Sequence, residues 1–505
     1  MNANRKSFSM PILRRYTGAL LALALLAGCA PAAPAPVAPG AAADVDRTAM
    51  PAPQATPSVD LPDVQRRTLS NGLRLWIVER HDVPLVSMQL VVNAGSAAEP
   101  AAGAGLASFT AAMLDEGTTR RSALEIADEI DFLGANLNSG ASYDASFVSL
   151  STLRRNLDQA LDIFADVVTN PTFPEQELTR VRNERLASMI QALDQPTAIA
   201  RQQFDLRIYG PEHPYGRPIE GTPITLRGLN QQQMQEFYRT YYRPNNAHLI
   251  VVGDVRPDQL VAQLEQALGG WQQGEVPPVR YPPAPSAQAS TRVYLIDKPG
   301  AAQSEIRIGH LGVPRSSEDY FPLLVMNTIL GGAFTSRINL NLREDKGYTY
   351  GARSAFEMRR ELGGFVASAG VQTPSTRESV IEFMKELEGI RGAIPLTEQE
   401  VEFAKNSIVR REPLGLETNG QIASRIQEMI LYDLPPDYLD SYTQRVAAVT
   451  HADVERVARQ YLTPERFAIV VVGDRSVVEE GLRALPYPVE IVTLDAPAAP
   501  TGAMR

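Results

Sequence analysis

Apolar runs and helical stripes follow one another along this chain in an order that occurs twice. Residues 73–78 and 85–92 read as strands about a turn at His81-Asp82, and an apolar segment near 106–114 has helical character. Ser122 and Glu125 have capping-box spacing, with Ile126, Ile130 and Leu133 on one face of the helix behind them. Residues 293–296 and 305–311 repeat the strand pair about Pro299-Gly300, and a helical segment near 323–330 follows. The ends of the two blocks agree more closely. Tyr241-Tyr242-Arg243-Pro244 leads into 249–252 and Gly253-Asp254, while Tyr461-Leu462-Thr463-Pro464 leads into 469–472 and Gly473-Asp474, at a constant offset of 220 residues. A polar cap, Asn230 or Thr450, opens the helix before each. Four apolar residues closed by Gly-Asp make a buried strand and its turn. The shared order points to duplication. It predicts an α+β fold of two similar halves, each with a sheet covered by helices on one face.

Length and composition set the frame. The chain has 505 residues, 44% hydrophobic and 21% charged, which is enough for several cores. A formal charge of −10 argues against nucleic acid as a partner, since that would need a basic face. Residues 1–28 read as a lipoprotein signal peptide. Arg5, Lys6, Arg14 and Arg15 form a positive segment, and the apolar run 19–27 is too short to span a bilayer. Leu26-Ala27-Gly28-Cys29 resembles the lipobox of bacterial lipoproteins, with Cys29 as the lipidated residue. Cys29 is the only cysteine, so no intrachain disulfide can form. Residues 29–60 are Ala- and Pro-rich and read as a tether. A first globular half then spans 61–275, a Pro-rich linker 276–291, a second half 292–492 and a tail 493–505. The expected location is the bacterial cell envelope, lipid-anchored, on the periplasmic side of the outer membrane if the cell is Gram-negative. Ala30 after the cysteine, in place of Asp, favours that membrane.

Several segments together resemble the pitrilysin, insulinase and mitochondrial processing peptidase family. In the first half they are Asn71-Gly72-Leu73-Arg74, Gly95-Ser96 with Glu99-Pro100, and Gly105-Leu106-Ala107 with Met113-Leu114 and Gly117-Thr118. His213-Pro214-Tyr215-Gly216 with Pro218 and Gly221, and the segment 241–254, come next. Leu330-Gly331-Gly332-Ala333-Phe334 and Leu342-Arg343-Glu344 continue the match in the second half. The resemblance runs from about residue 61 to about residue 492. It implies two similar halves, each a pair of ferredoxin-like, processing-peptidase-like sheet-plus-helices units, enclosing a chamber for extended peptides.

The same resemblance locates a lost metal site. Family members carry H-x-x-E-H, in which two His bind zinc and the Glu acts as general base on metal-bound water. The two His positions here are Ser108 and Ala112, and the Glu position is Ala111. The third ligand aligns to Ser188, or to Ala187 if the register slips by one. Alanine has no lone pair for a metal and no proton to move, so no metal is expected on this chain. The five histidines, His81, His213, His248, His310 and His451, are too scattered to rebuild a site and read as structural. Asp115 and Glu116 read as a solvated helix edge. What the family places opposite the zinc is retained. Arg343 and Tyr350, seven apart, match the pair that holds the substrate backbone and the developing oxyanion, with Tyr348 the alternative tyrosine. Residues 354–356 and 365–369 read as a hairpin about Gly363-Gly364 whose exposed strand could pair with a peptide. The resemblance therefore implies the zinc-free subunit of a two-chain metallopeptidase, with zinc in an H-x-x-E-H partner, an extended peptide as substrate and the membrane as a further partner. A non-proteolytic scaffold or peptide-binding lipoprotein is the alternative. An enzyme with a new mechanism is the third reading.

Overall fold

The computed structural model describes residues 63–283 and 288–494. The signal peptide, Cys29, the whole tether, four linker residues and most of the tail lie outside the described residues. Two six-stranded sheets organise the rest. The first contains β1 (Gln65–Thr68), β2 (Arg74–Glu79), β3 (Leu85–Val92), β4 (Asn136–Ala141), β5 (Ser146–Leu153) and β6 (Ala247–Gly253), in the order β1-β2-β6-β3-β5-β4. The second contains β7 (Arg292–Asp297), β8 (Gln303–Leu311), β9 (Thr349–Glu357), β10 (Gly364–Gln372), β11 (Ala468–Gly473) and β12 (Val489–Val492), in the order β12-β7-β11-β8-β10-β9. Five strands correspond one for one. In both halves the Gly-Asp strand lies between a parallel and an antiparallel neighbour: β6 runs parallel to β2 and antiparallel to β3, and β11 parallel to β7 and antiparallel to β8. The sixth differs, because β1 is antiparallel to β2 whereas β12 is parallel to β7.

The predicted caps are present. Ser122, Asn230 and Thr450 each close a capping box with the residue three positions on, satisfying backbone N–H groups that the first helical turn leaves unpaired. No strand was expected at β4 or β5. β4 has the sequence NLNSGA, too polar to announce itself, and it forms one edge of its sheet.

Helical cover on one sheet face is only half of the arrangement. β6 and β11 are buried along their whole length. On β6, Leu249 and Val251 face helices of their own half, while Ile250 and Val252 face Ile422, Ala423 and Ile426 on the helix Asn419–Leu431 of the other half. That helix is tied down by Asn419 Nδ2 donating to Leu85 O at 3.2 Å and by Gln427 accepting from Gln89 at 2.7 Å. The exchange is reciprocal. Helix Pro196–Tyr209 of the first half lays Ile199, Phe204 and Ile208 on Val470 and Val472 of β11. Each large apolar side chain so buried stabilises the fold by roughly 1.5–3 kcal/mol.

The tips of two hairpins meet where the halves join. The β4–β5 tip presents Tyr143 and Asp144. The β9–β10 tip presents Arg359, only 7% exposed, whose guanidinium carbon lies 4.2, 5.0 and 4.8 Å from the ring centroids of Tyr143, Tyr209 and Tyr215. Asp144 accepts from the hydroxyls of Tyr215 and Tyr281, both at 2.7 Å.

At the other end of β6, His81 joins two turns. Nδ1 lies 2.6 Å from Asp254 and Nε2 2.8 Å from Glu79. The hydrogen bonds to Asp254 and then to Glu79 raise the His81 pKa above its ordinary value. Its stabilising effect is therefore complete below about pH 6.5 and disappears as pH rises through the folded-state pKa. An NMR titration of His81 is expected to give a pKa above 6.5, and His81→Gln to remove stability only on the acid side. A folded-state value at or below the model-peptide one would refute this.

Candidate functional site

The short helix α1 (Leu106–Ala112) carries the three positions inherited from H-x-x-E-H. Its N-terminus is set by Gly105 at φ +97°, where a Cβ would come within 2.8 Å of Glu220 O, so only glycine fits without strain. The buried Glu99 caps this end, accepting from the N–H groups of Gly105 at 3.0 Å and Ala107 at 2.9 Å. Burial pushes its pKa up to about 8, against the downward pull of those two donors.

Ser108, 3% exposed, faces helix α2 (Glu175–Ala192), where Leu178, Val181, Arg185 and Ser188 follow one stripe. Leu178 and Val181 are buried in the core, Arg185 is next, and Ser188 is exposed. Arg185 fills the space between the helices. Its Nη1 donates to Ser108 Oγ at 3.0 Å and to Glu220 Oε2 at 2.9 Å, and its Nη2 donates to Ser108 O at 2.9 Å. Its guanidinium carbon is 5.1 Å from the Phe109 ring centroid. Burial pulls the Arg185 pKa down and Glu220 pulls it up, but a guanidinium stays charged in proteins. Ala111 is fully buried, and its carbonyl accepts from Ser139 of β4 at 2.7 Å.

Asp115 and Glu116 are not a solvated helix edge. α1 ends at Ala112, so both stand in the bend behind it. Burial pushes Asp115 up to about 6, and Glu116 is paired with Arg180, which also holds Glu177 and Glu184. The five histidines are each engaged structurally. Besides His81, His213 Nδ1 accepts from Tyr215 N, His248 Nδ1 accepts from Trp76 Nε1, His310 stacks on Phe467, and His451 Nε2 lies 3.1 Å from Leu396 O.

Arg343 and Tyr350 lie in the second half. Arg343 is on the wide turn Leu340–Asp345, which continues the helix Arg337–Asn339. It pairs with Glu344 at 3.4 Å, and its guanidinium carbon sits 4.4 Å from the centroid of the exposed Phe334 ring. Tyr350 is the second residue of β9 and is 90% exposed, whereas Tyr348 is half-buried where its N–H donates to Leu342 O at 2.9 Å. β9 is one edge strand of its sheet and, among the described residues, pairs only with β10, over a longer stretch than 354–356. Among the described residues no hydrogen bond, ion pair or ring contact joins Arg343 or Tyr350 to Ser108, Ala111, Ala112 or Ser188. The sequence reading missed Arg185. The signal available was its place on the α2 stripe, one turn before the position of the third ligand.

Two matching sheet-and-helix halves, with an arginine inside the inherited metal-ligand positions, define a processing-peptidase-like chain without a zinc ligand set. The family model for insulinase-type M16 peptidases matches residues 75–222, and the one described as the peptidase M16 inactive domain matches 228–408. The chain belongs to the M16 peptidase family. It is 28% identical over 416 residues to an uncharacterized zinc protease of Streptomyces coelicolor, covering 81% of this chain and 89% of that one. A solved M16 inactive-domain structure from Pseudomonas fluorescens is similar with a TM-score of 0.75 and 27% identity, over 82% of this chain and 98% of that one. A protease from Helicobacter pylori shares the fold with a TM-score of 0.74 and 20% identity, over 82% and 100%.

Zinc, which the family implies, does not fit these residues. A hydroxyl already engaged by a cation and two alanine methyls offer no ligand set, and the space beside Ser108 holds a positive charge. Among the described residues no group of three or more His, Cys, Asp or Glu is placed to hold a metal ion.

Proposed function

We propose that this chain is the zinc-free subunit of a two-chain M16 peptidase, binding extended peptide and contributing Arg343 and Tyr350 to a site that an H-x-x-E-H partner completes. The observation that carries this reading is the pairing of Arg185 with Ser108, beside alanines at the general-base and second-ligand positions. Nothing there can activate water, so hydrolysis has to come from another chain. The contribution of the second half is supported by its exposure. An arginine stacked on an exposed phenylalanine and a tyrosine almost wholly in solvent are poor use of side chains in an isolated molecule. The free side of β9 next to Tyr350 offers main-chain groups to an extended peptide. Attachment to the cell envelope rests on the sequence around Cys29.

The test is reconstitution. The purified chain alone is expected to carry no stoichiometric zinc and to cleave no peptide. Adding an H-x-x-E-H homologue from the same cell is expected to give peptidase activity that neither chain has alone. Cys29→Ser is expected to move the protein from the membrane fraction to the soluble one. Tightly bound zinc together with turnover by the chain alone would overturn the reading.

A further inference from the structure

We propose that Arg185 is a built-in cation which takes the place of the family's metal, so that metal is kept out by charge as well as by the loss of its ligands. The idea rests on the family relationship of α1 and not on the existence of a partner chain. One guanidinium makes three donations here: two converge on the first ligand position, reaching Ser108 through its hydroxyl and its carbonyl, and the third reaches Glu220. The ring of Phe109 lies beneath the same group. This is a built cation site, and the cation is covalently part of the chain.

Two consequences follow. A divalent ion entering between α1 and α2 would meet a fixed positive charge at close range in a partly buried setting, where repulsion is weakly screened. A longer side chain at position 108 would also have to displace that guanidinium, because Nη1 already sits at hydrogen-bond distance from Oγ. The arginine in turn supports the local structure. It joins α1, α2 and the loop that carries Glu220, and the first two are the segments that ligands on both helices would otherwise link through a metal. Only the Glu220 end is largely in solvent, with its side chain 62% exposed, so the bonds to Ser108 are the enduring part.

The experiment restores the ligands with and without the arginine. Ser108→His, Ala111→Glu, Ala112→His and Ser188→Glu are combined, first with Arg185 retained and then with Arg185→Met. Zinc affinity is read by competition with a chromophoric chelator, and zinc content by metal analysis after dialysis. The expected result is that zinc binds at least about 100-fold more tightly once Arg185 is gone, a gap typical of a removed close charge pair. Equal affinity in the two backgrounds, within threefold, would overturn the proposal. Should the fourfold change prevent folding, the milder Ala112→His/Ser188→Glu pair leaves the Ser108 contacts untouched and is compared with and without Arg185→Met, with the same ordering expected. No partner or peptide enters the assay, so a failed reconstitution and a failed charge exclusion are separate outcomes.

Discussion

In the reconstituted two-chain enzyme, Arg343→Ala is expected to lower kcat by about 100- to 1000-fold, the loss of one preorganised donor to a developing oxyanion, or about 2.7–4 kcal/mol of barrier. The prediction is sharp because the residue does little for its own fold. Its carboxylate partner, Glu344, is half-exposed and 3.4 Å away, and the ring it stacks on, Phe334, is 65% exposed. Such surface contacts contribute about 0–1 kcal/mol, so the melting temperature of the isolated chain should barely move. Arg343→Lys keeps the charge but loses the planar fork, and should recover only part of the rate. Tyr350→Phe tests the hydroxyl separately. Tyr348→Phe serves as its control, because Tyr348 is half-buried behind the strand. Single-turnover measurements on the complex distinguish a lost transition-state contact from weaker peptide binding. An unchanged kcat in Arg343→Ala, with the complex intact, would remove the assignment.

The largest effect on stability is expected at Arg359. Arg359→Ala should cost about 3–5 kcal/mol, the usual cost of breaking a buried charge arrangement by removing one member. Three tyrosine rings surround this guanidinium, Glu357 lies 3.7 Å from it as an ion-pair partner, and the carboxylate of Asp205 acts on it electrostatically. Burial, partly offset by Arg359, already pushes Asp205 up to about 6. An acid whose folded pKa lies above its unfolded value binds protons more strongly when folded. Stability then falls as pH rises from about 3.9 to the folded value, and levels off beyond it. Without Arg359 that falling window should extend to higher pH. Urea unfolding of both proteins between about pH 4 and 8 measures this, and the gap between them should widen towards the alkaline side. A parallel pair of curves would show that the arginine acts through packing against the rings alone. Because Arg359 joins the two hairpin tips, loss of cooperativity between the halves is a second readout.

Much of the candidate site was legible from local chemistry. Ser at 108 and Ala at 111 and 112 are statements about donor atoms, and no packing can add a lone pair to a methyl group. The caps at Ser122, Asn230 and Thr450 were legible too, because a capping box closes within four residues. The run at 249–252 announced a strand with both faces buried, as did the run at 469–472. What covers the second face was not legible. The strand's own sequence demands that Ile250 and Val252 be hidden, but it is indifferent to whether a helix of the same half or the helix Asn419–Leu431 hides them.

The sequence by itself determined that the chain repeats one sheet-and-helix plan and that its inherited metal positions hold no ligands, since periodicity, capping and donor chemistry are properties of neighbouring residues. The tertiary structure decided which helix crosses to which sheet, that Arg359 enters a tyrosine cluster of the opposite half, and that Arg185 lies against Ser108. Those outcomes depend on contacts between residues far apart in the chain. A charged or apolar side chain specifies the kind of surroundings it needs, and the packing of the whole molecule selects the residues that supply them.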